Sequence, residues 1–431
     1  MINPIATAKI FSQLGSSSSL LPIAIKDAAH SAGMTTSSYI TGKEVEGKDR
    51  LIDEFGTQVI WIGGIPFYKK VIDLTLFKLA KYNPHIDTRL LKDEKILQKA
   101  IDHAPTKEIA LSIQKAAKNQ KTFKGLAMAK FIAATALTLG SYAGLTKYRH
   151  SHTEQNIIKE IEKEEKAKQE ESFKGKEFSL NKKNGSKPSF GALNMAGLKD
   201  FMFDPVKNMM IVDGGITAER LAESRNPQDF MGYVIKEGSF WLFMYFAGEQ
   251  IQKHFEKRAN TKHNKAIDLD IKALQSEDMK KAFEDKTVKG AVEAFNKNST
   301  QESMYEYICK NEDNLVVKMA KQSGIVALHK ETKKVDTQQF IDLDAVKGVG
   351  EKLEKLFAQH EKSGEKIEDF ISKTVKLKRG SILKNIGTCC AVLGLVVPGI
   401  MLAIRLSNKD NKEFAVKKEI QAKLKKQNLI A

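Results

Sequence analysis

The chain has 431 residues, a formal net charge of +17 and a hydrophobic fraction of 42%. This length allows two or three units with buried cores, and the positive charge indicates an acidic counter-surface such as anionic lipid or nucleic acid. Three cysteines, two of them adjacent at Cys389 and Cys390, exclude a disulfide framework. The mean hydropathy of −0.35 is typical of a soluble protein, but it averages long basic stretches with long apolar ones.

The N-terminal segment, residues 1–34, has no acidic residue before Asp27 and contains four serines at positions 16–19. These serines interrupt the apolar stretch, and no clear small-residue cleavage pattern follows them. The segment is therefore not predicted to be a signal peptide.

A first membrane half is predicted over residues 35–150, with a weak and a strong apolar segment. The strong one, residues 126–145, has the length of about 20 residues that a helix needs to cross a hydrocarbon core of about 30 Å. The weak one, near residues 57–80, is interrupted by Lys69, Lys70 and Asp73. Each charge at mid-bilayer costs about 2.5–3.5 kcal/mol, so the weak segment either crosses the bilayer or lies at its interface.

Small residues recur every fourth position in the strong run, at Ala136, Gly140 and Gly144. This spacing places them on one helix face and predicts close approach of another helix. A shorter version, Gly387 and Ala391, occurs in the second strong run. The two runs are expected to pack together through these faces.

The region between the halves, residues 151–209, is predicted to be a charged helix followed by a flexible linker. Its second part, residues 182–188, reads KKNGSKP and contains little apolar material to bury. We place the domain boundary here.

The second membrane half, residues 210–408, again has a weak segment, near residues 230–251, and a strong run, residues 386–404. The weak segment contains Lys236 and Glu237, which are possible intramembrane charges and favour transport as an alternative function. A basic C-terminal tail, residues 409–431, follows. Basic residues flank the second strong run on both sides: Lys373, Lys376, Lys378, Arg379 and Lys384 before it, and Arg405, Lys409, Lys412, Lys417 and Lys418 after it.

An insertion at residues 274–376 in the second half has amphipathic patterns that predict a soluble helical subdomain. Within it, the sequence Val346-Lys347-Gly348-Val349-Gly350-Glu351-Lys352 resembles the hairpin of the helix-hairpin-helix family of DNA-binding modules. The resemblance covers about 20 residues. It implies that the amides of Gly348, Val349 and Gly350 contact a phosphate, with charge from Lys347 and Lys352. The alternative interpretation is a plain helix connection.

The two halves resemble each other in sequence. Arg50, Phe55, Val59, Ile60 and Gly63 recur without a gap as Arg225, Phe230, Val234, Ile235 and Gly238, and a basic approach precedes each strong run. We interpret this order as a tandem duplication.

These observations predict an all-α, helical integral membrane protein made of two related halves, each with one weak and one strong membrane segment, plus a soluble helical subdomain. The predicted function is non-enzymatic: a scaffold or organiser whose basic helices engage anionic lipid or an acidic partner. A small transporter or channel and a membrane-tethered nucleic-acid binder are the alternatives. No phosphate-loop, zinc-helix or nucleophile motif is present, so no catalytic residue, metal or cofactor is predicted. The expected location is a membrane, the cytoplasmic one in the case of a bacterial protein.

Overall fold

A computed structural model describes residues 4–16, 19–169, 204–222, 224, 227–407 and 415–426. Of these residues 82% are helical, and this part of the chain contains no β-strand. The all-α prediction is confirmed. Most of the predicted linker, Arg225 of the repeat and the ends of the C-terminal tail lie outside the described residues.

The described part of the chain is a series of α-helices. In chain order they are α1 Pro4–Leu14, α2 Leu21–Ile72, α3 Glu94–Asp102, α4 Lys107–Lys118, α5 Gln120–Gln169, α6 Pro205–Ala222, α7 Pro227–Trp241, α8 Ala247–His263, α9 Ile271–Leu274, α10 Glu277–Glu284, α11 Val288–Asn296, α12 Gln301–Lys310, α13 Leu315–Gln322, α14 Leu343–Ser363, α15 Ile367–Ala391, α16 Val397–Ser407 and α17 Ala415–Lys426. Single π-helical turns continue α2 at Asp73–Phe77, join α7 to α8 at Leu242–Phe246 and join α15 to α16 at Val392–Val396.

The chain forms two compact units that are interleaved in sequence. The lobe unit contains residues 1–17, 69–133 and 248–386, and the bundle unit contains residues 18–68, 134–247 and 387–431. This division does not follow the predicted consecutive halves, 35–150 and 210–408. Each unit consists of segments that pack against one another, whereas each predicted half is one continuous stretch of sequence.

The core of the lobe unit is larger than the predicted insertion. Leu90, Ile96 and Ala100, from the first half, share one hydrophobic core with Phe283 and Phe357. The two phenylalanine rings meet edge to face, with centroids 5.2 Å apart. The core that was predicted for the insertion is therefore built from both halves of the sequence, because neither set of short helices covers its apolar face alone.

Helix starts in the lobe unit follow standard capping chemistry. Thr300, Asn314 and Asp342 precede α12, α13 and α14, and each side chain accepts a hydrogen bond from a backbone amide of the first turn. Each cap stabilises by about 1 kcal/mol. Gly364 follows α14 with φ of 62°, a left-handed conformation that glycine adopts without a Cβ clash.

Helix α2, in the bundle unit, doubles back on itself. Gln58 Nε2 donates to the carbonyl oxygen of Ala24 at 3.1 Å, although the two residues are 34 positions apart. A straight helix of that length would separate them by about 51 Å. A Cβ at Gly47 would overlap the ring of Tyr39, so the reversal lies between these two residues. The result is two antiparallel arms within α2.

Close helix contacts in the bundle unit are made at glycines outside the predicted stripes. A Cβ at Gly33 would overlap the carbonyl oxygen of Gly394, and one at Gly394 would lie 2.9 Å from the carbonyl oxygen of Ala29. The α2 backbone therefore meets the π-helical turn before α16 directly. Gly64 and Gly215 are similarly close to the side chains of α5.

The predicted small-residue stripes do not pack within the described part of the chain. All five residues are exposed, and a Cβ on any of the three glycines would meet no described atom within 4 Å. The expected contact between the two apolar runs through these faces is wrong, because the close approaches use glycines at other positions. The stripe residues are Ala136, Gly140, Gly144, Gly387 and Ala391.

Two helical stretches are long and apolar enough to cross a membrane, Gln120–Glu164 and Ile367–Leu406. They contain the two predicted strong runs. Only 28% and 22% of their most apolar windows is buried, whereas a core helix of a soluble protein is mostly covered.

The glycine contact between α2 and the π-helical turn generates a stability prediction. Gly33→Leu should destabilise the protein in detergent by roughly 1–3 kcal/mol or more, because a side chain there must displace backbone. Gly140→Leu, on the open face of α5, should leave the unfolding midpoint unchanged. Equal losses in thermal unfolding for the two variants would contradict this packing.

A second prediction concerns Cys309 in the lobe unit. Burial raises the pKa of this thiol to about 12, so its reactive thiolate is scarce at pH 8. Iodoacetamide should modify Cys309 much more slowly in the folded protein than in urea, as followed by peptide mass spectrometry. Similar rates in the two states would contradict the burial of the Cys309 thiol.

Candidate functional site: a buried charge cluster and a basic helix surface

A group of charged side chains is buried in the interior of the bundle unit. Asp53 is at its centre, with Arg149 Nη1 at 2.9 Å from its Oδ2 and Arg220 Nη2 at 3.3 Å from its Oδ1. Asp53 is 1% exposed, and both arginines are buried as well. Since an unpaired buried charge is strongly unfavourable, these groups depend on one another.

Lys236 and Glu237, the two predicted intramembrane charges, belong to this cluster. Lys236 Nζ lies 2.8 Å from Glu54 Oε1 and 3.4 Å from Glu237 Oε1. Glu237 Oε1 also accepts from Arg220 Nη1 at 2.5 Å. Arg50 also pairs with Asp53 and Glu54, and Asp49 pairs with Arg149. Four carboxylates therefore face four cations in these ion pairs, and their charges balance.

Neutral side chains accept further hydrogen bonds from the two arginines. Tyr142 accepts a hydrogen bond from Arg220 Nε at 2.8 Å, and Tyr233 accepts from both terminal nitrogens of Arg149 at 3.3 and 3.2 Å. Thr57 accepts from Arg220 Nη2 at 3.1 Å. The guanidinium groups are thus held in fixed orientations by hydroxyl oxygens, from three different helices, that accept their hydrogen bonds.

A histidine links the cluster to a π-helical turn. His30 Nδ1 lies 3.0 Å from the carbonyl oxygen of Leu393, and this oxygen only accepts, so Nδ1 carries the proton. A π-helical turn changes the backbone hydrogen-bond ladder, which is how the Leu393 carbonyl becomes available to a side chain. His30 Nε2 and the indole nitrogen of Trp61 are buried, with no hydrogen-bond partner among the described residues.

A small cavity lies beside these groups within the bundle unit. Its volume is about 20 Å³, which is enough for about one water molecule. Its lining includes His30, Trp61, Lys236 and Glu237, together with the carboxyl groups of Asp27, Glu54 and Asp213. It is too small for an organic substrate, but it is polar enough for water or a proton.

The predicted glycine turn of the helix-hairpin-helix resemblance is wrong. Gly348, Val349 and Gly350 lie inside α14, where their amides belong to the helix rather than to an exposed turn. A Cβ at Gly350 would lie 3.3 Å from Val292, so close packing explains the glycine. Lys347 and Lys352 are exposed on the same helix. The phosphate contact loses its amide donors, because tertiary packing extends the helix through both glycines.

Basic residues of the lobe unit gather on the helical segments that adjoin the apolar runs. They lie on the end of α2 and its π-helical turn, on the start of α5, on α8 and on α15. Some are neutralised locally: Lys130 pairs with Asp73 at 2.5 Å and Lys378 with Glu256 at 2.7 Å. Others are exposed, including Lys70, Lys78, Lys121, Lys257, Arg258, Lys262 and Lys384.

The basic residues beyond the second apolar run have structural partners in the bundle unit. Arg405 forms an ion pair with Glu46, and Lys417 lies 3.0 Å from Glu160 and 2.9 Å from Glu164. Helix α17 also contributes Val416, Ile420 and Leu424 to a small apolar core with Ile157 and Ile161. Part of the predicted basic tail is therefore a packed helix, with its charge directed to acidic residues of the same chain.

The lobe unit contains two cavities beside α15. One has a volume of about 1080 Å³ and a mixed lining that includes Lys272, Lys376 and Arg379 as well as Glu277 and Glu368. The other has a volume of about 200 Å³, and none of its described lining residues is acidic. It is lined by Phe255, Arg258, Ala259, Lys262, His263, Leu377, Ser381 and Lys384.

Comparison with known proteins gives no match to a family model, a curated protein or a solved structure. The function is therefore argued from this chain's own residues.

Removal of Asp53 should show how strongly the cluster depends on it. Asp53→Ala leaves two arginines buried without their central partner and should destabilise the protein by roughly 3–5 kcal/mol. Combining it with Arg149→Leu should recover part of this loss in a double-mutant cycle. The control is Glu249→Ala, which removes an exposed pair with Lys253 and should have little effect. Thermal unfolding in detergent measures wild type, the Asp53→Ala and Arg149→Leu single variants, the double variant and the control; an unaltered Asp53→Ala midpoint would refute the cluster.

Proposed function

We propose that this protein is an integral membrane scaffold or organiser whose basic helices engage anionic lipid. The observation that carries the proposal is the exposure of the apolar helices. Leu395 is 73% exposed, and Val396, Ile400 and Ile404 are about half exposed along the same run. Water would make so large an apolar surface unfavourable, whereas lipid would cover it.

The weak apolar segments support the same proposal. Val59, Phe67, Leu74 and Leu79 are all more than 60% exposed along the second arm of α2 and its continuation. Asp73 of this segment pairs with Lys130 at 2.5 Å. In the second weak segment Lys236 pairs with Glu54 and Glu237 pairs with Arg220. Pairing lowers the cost of placing these segments in hydrocarbon, and we propose that both weak segments enter the membrane.

The position of the basic residues supports anionic lipid as the partner. Lys384 precedes the apolar run at 386–404 by two residues, and Lys121 and Lys124 precede the run at 126–145 by a few residues. Side chains at such positions reach the headgroup level, where each contributes about 1 kcal/mol to binding an anionic leaflet.

We also propose that the two halves arose by duplication. Besides the first match, Lys81, Asn83, Ile86 and Asp87 recur with the same spacing as Lys262, Asn264, Ile267 and Asp268. In this second match Ile86 and Ile267 are both buried. Each half then continues through short helices to an apolar helix.

A second candidate function is proton or ion transport, and the buried charge cluster favours it. Ionisable groups inside membrane bundles frequently mark ion pathways or proton relays. The polar cavity of about 20 Å³, with His30 and several carboxyl groups in its lining, fits a proton or a water molecule. A proton flux across proteoliposomes that Glu237→Gln abolishes would favour this candidate over a scaffold.

The membrane proposal predicts that the protein stays in the membrane pellet after washing with alkaline carbonate. Exposed apolar helices are held by lipid contact, and charge reversal at high pH does not release them. Peripheral basic proteins in the same membranes serve as the control, because they should be released. Recovery of most of the protein in the supernatant would contradict integral insertion and leave a peripheral, basic helical protein.

A further inference from the structure

We infer that the small basic cavity of the lobe unit between α8 and α15 is a binding site for a phosphate group, supplied by the headgroup of an anionic phospholipid. The inference rests on the proposed membrane function for the source of the phosphate. The geometry of the cavity and the charges that line it do not depend on that proposal.

The charged side chains that line this cavity are all positive. Arg258 and Lys262 from α8 and Lys384 from α15 line it, and among the described residues none of the three forms an ion pair. Neighbouring lysines on the same helices differ: Lys253 pairs with Glu249 at 2.5 Å and Lys378 with Glu256 at 2.7 Å. Three cations around one recess repel each other, and an anion would relieve that repulsion.

A buried hydroxyl group points to a ligand. Ser381 lines the cavity, is 4% exposed, and its Oγ has no hydrogen-bond partner among the described residues. A buried serine in a helix commonly donates to the carbonyl four residues earlier. Thr374, two turns before it on α15, does so at 2.7 Å. Ser381 keeps its donor for another acceptor, and a phosphate oxygen is such an acceptor.

The size and position of the cavity fit a headgroup phosphate. Its volume of about 200 Å³ is below the range of roughly 300–1,000 Å³ that is usual for drug-sized ligands. Phe255, Ala259 and Leu377 give it an apolar side next to the charges. Ser381 and Lys384 precede the apolar run at Ile386 by five and two residues, so they are at the level of the headgroups if that run is inserted.

Helix-end electrostatics is the alternative explanation for one of these cations. Lys262 is in the last turn of α8, where positive charge is favourable beside the carbonyl end of a helix. That effect would stabilise the fold but would bind no anion. It also does not involve Lys384 or the Ser381 hydroxyl group, which are in the middle of α15. Binding and stability measurements therefore separate the two explanations.

The test uses the full chain purified in a neutral detergent. Short-chain phosphatidylglycerol, phosphatidylcholine and inorganic phosphate are titrated separately, and bound ligand is counted by native mass spectrometry. Wild type should bind phosphatidylglycerol more tightly than phosphatidylcholine. Arg258→Glu with Lys384→Glu should weaken this binding at least tenfold, and Ser381→Ala should weaken it by roughly tenfold through loss of one charge-assisted hydrogen bond.

The matched control is Lys107→Glu with Lys118→Glu, the same change in charge on exposed positions of α4 in the same unit. It should bind as wild type does. Inorganic phosphate that binds alone, with the same losses in the cavity variants, would support the phosphate site with a soluble source. Unchanged phosphatidylglycerol binding by Ser381→Ala and by the double cavity variant, or an equal loss in the control, would overturn the inference. Release by carbonate with phosphate binding intact would count against the membrane proposal alone.

Discussion

Mutual neutralisation of buried charges is the constraint on which the bundle unit depends. Asp53 lies between Arg149 and Arg220, and Lys236 lies between Glu54 and Glu237. Each ion is removed from water, and the cost of that removal is several kcal/mol per ion unless its partners are in place. The helices that supply the charges must therefore assemble together. The hydrogen bonds that Arg149 and Arg220 donate to Tyr142, Tyr233 and Thr57 fix the orientation of the two guanidinium groups.

The reversal of α2 makes this assembly possible. One arm supplies His30 and the other supplies Asp53, and the arms lie side by side because Gln58 reaches the backbone of Ala24. The direct contact of Gly33 with Gly394 then brings the π-helical turn close enough for His30 to bind the Leu393 carbonyl. A larger residue at either glycine would separate the helices and leave the imidazole without this acceptor.

The lobe unit distributes its charges differently. Its core is apolar, and most of its ion pairs are at the surface, where each contributes little to stability. The basic cavity beside α15 is different, because three cations line it and none of its described lining residues is acidic. Such an arrangement is unfavourable for the isolated protein and favourable for a complex with an anion, which is why we assign it to recognition rather than to folding.

The sequence by itself determined the helical class, the two long apolar helices and the presence of the charges Lys236 and Glu237 within an apolar segment. These follow from periodicity, from segment length and from the cost of isolated charges in apolar surroundings. The sequence did not determine the partners of those charges. The other charged residues of the cluster come from distant parts of the chain: Asp53 and Arg220, for example, are separated by 167 positions, and only folding brings them within hydrogen-bond distance.

Tertiary structure also decided which glycines matter. The regular spacing of Gly140 and Gly144 predicted a contact, but these residues are exposed, and the isolated Gly33 and Gly394 make the closest approach. Gly348 and Gly350 suggested a turn, yet packing of Gly350 against Val292 keeps the chain helical. Local spacing defines which residues share a helix face, whereas the neighbouring helix that covers a face is set by the energy of the whole packed unit.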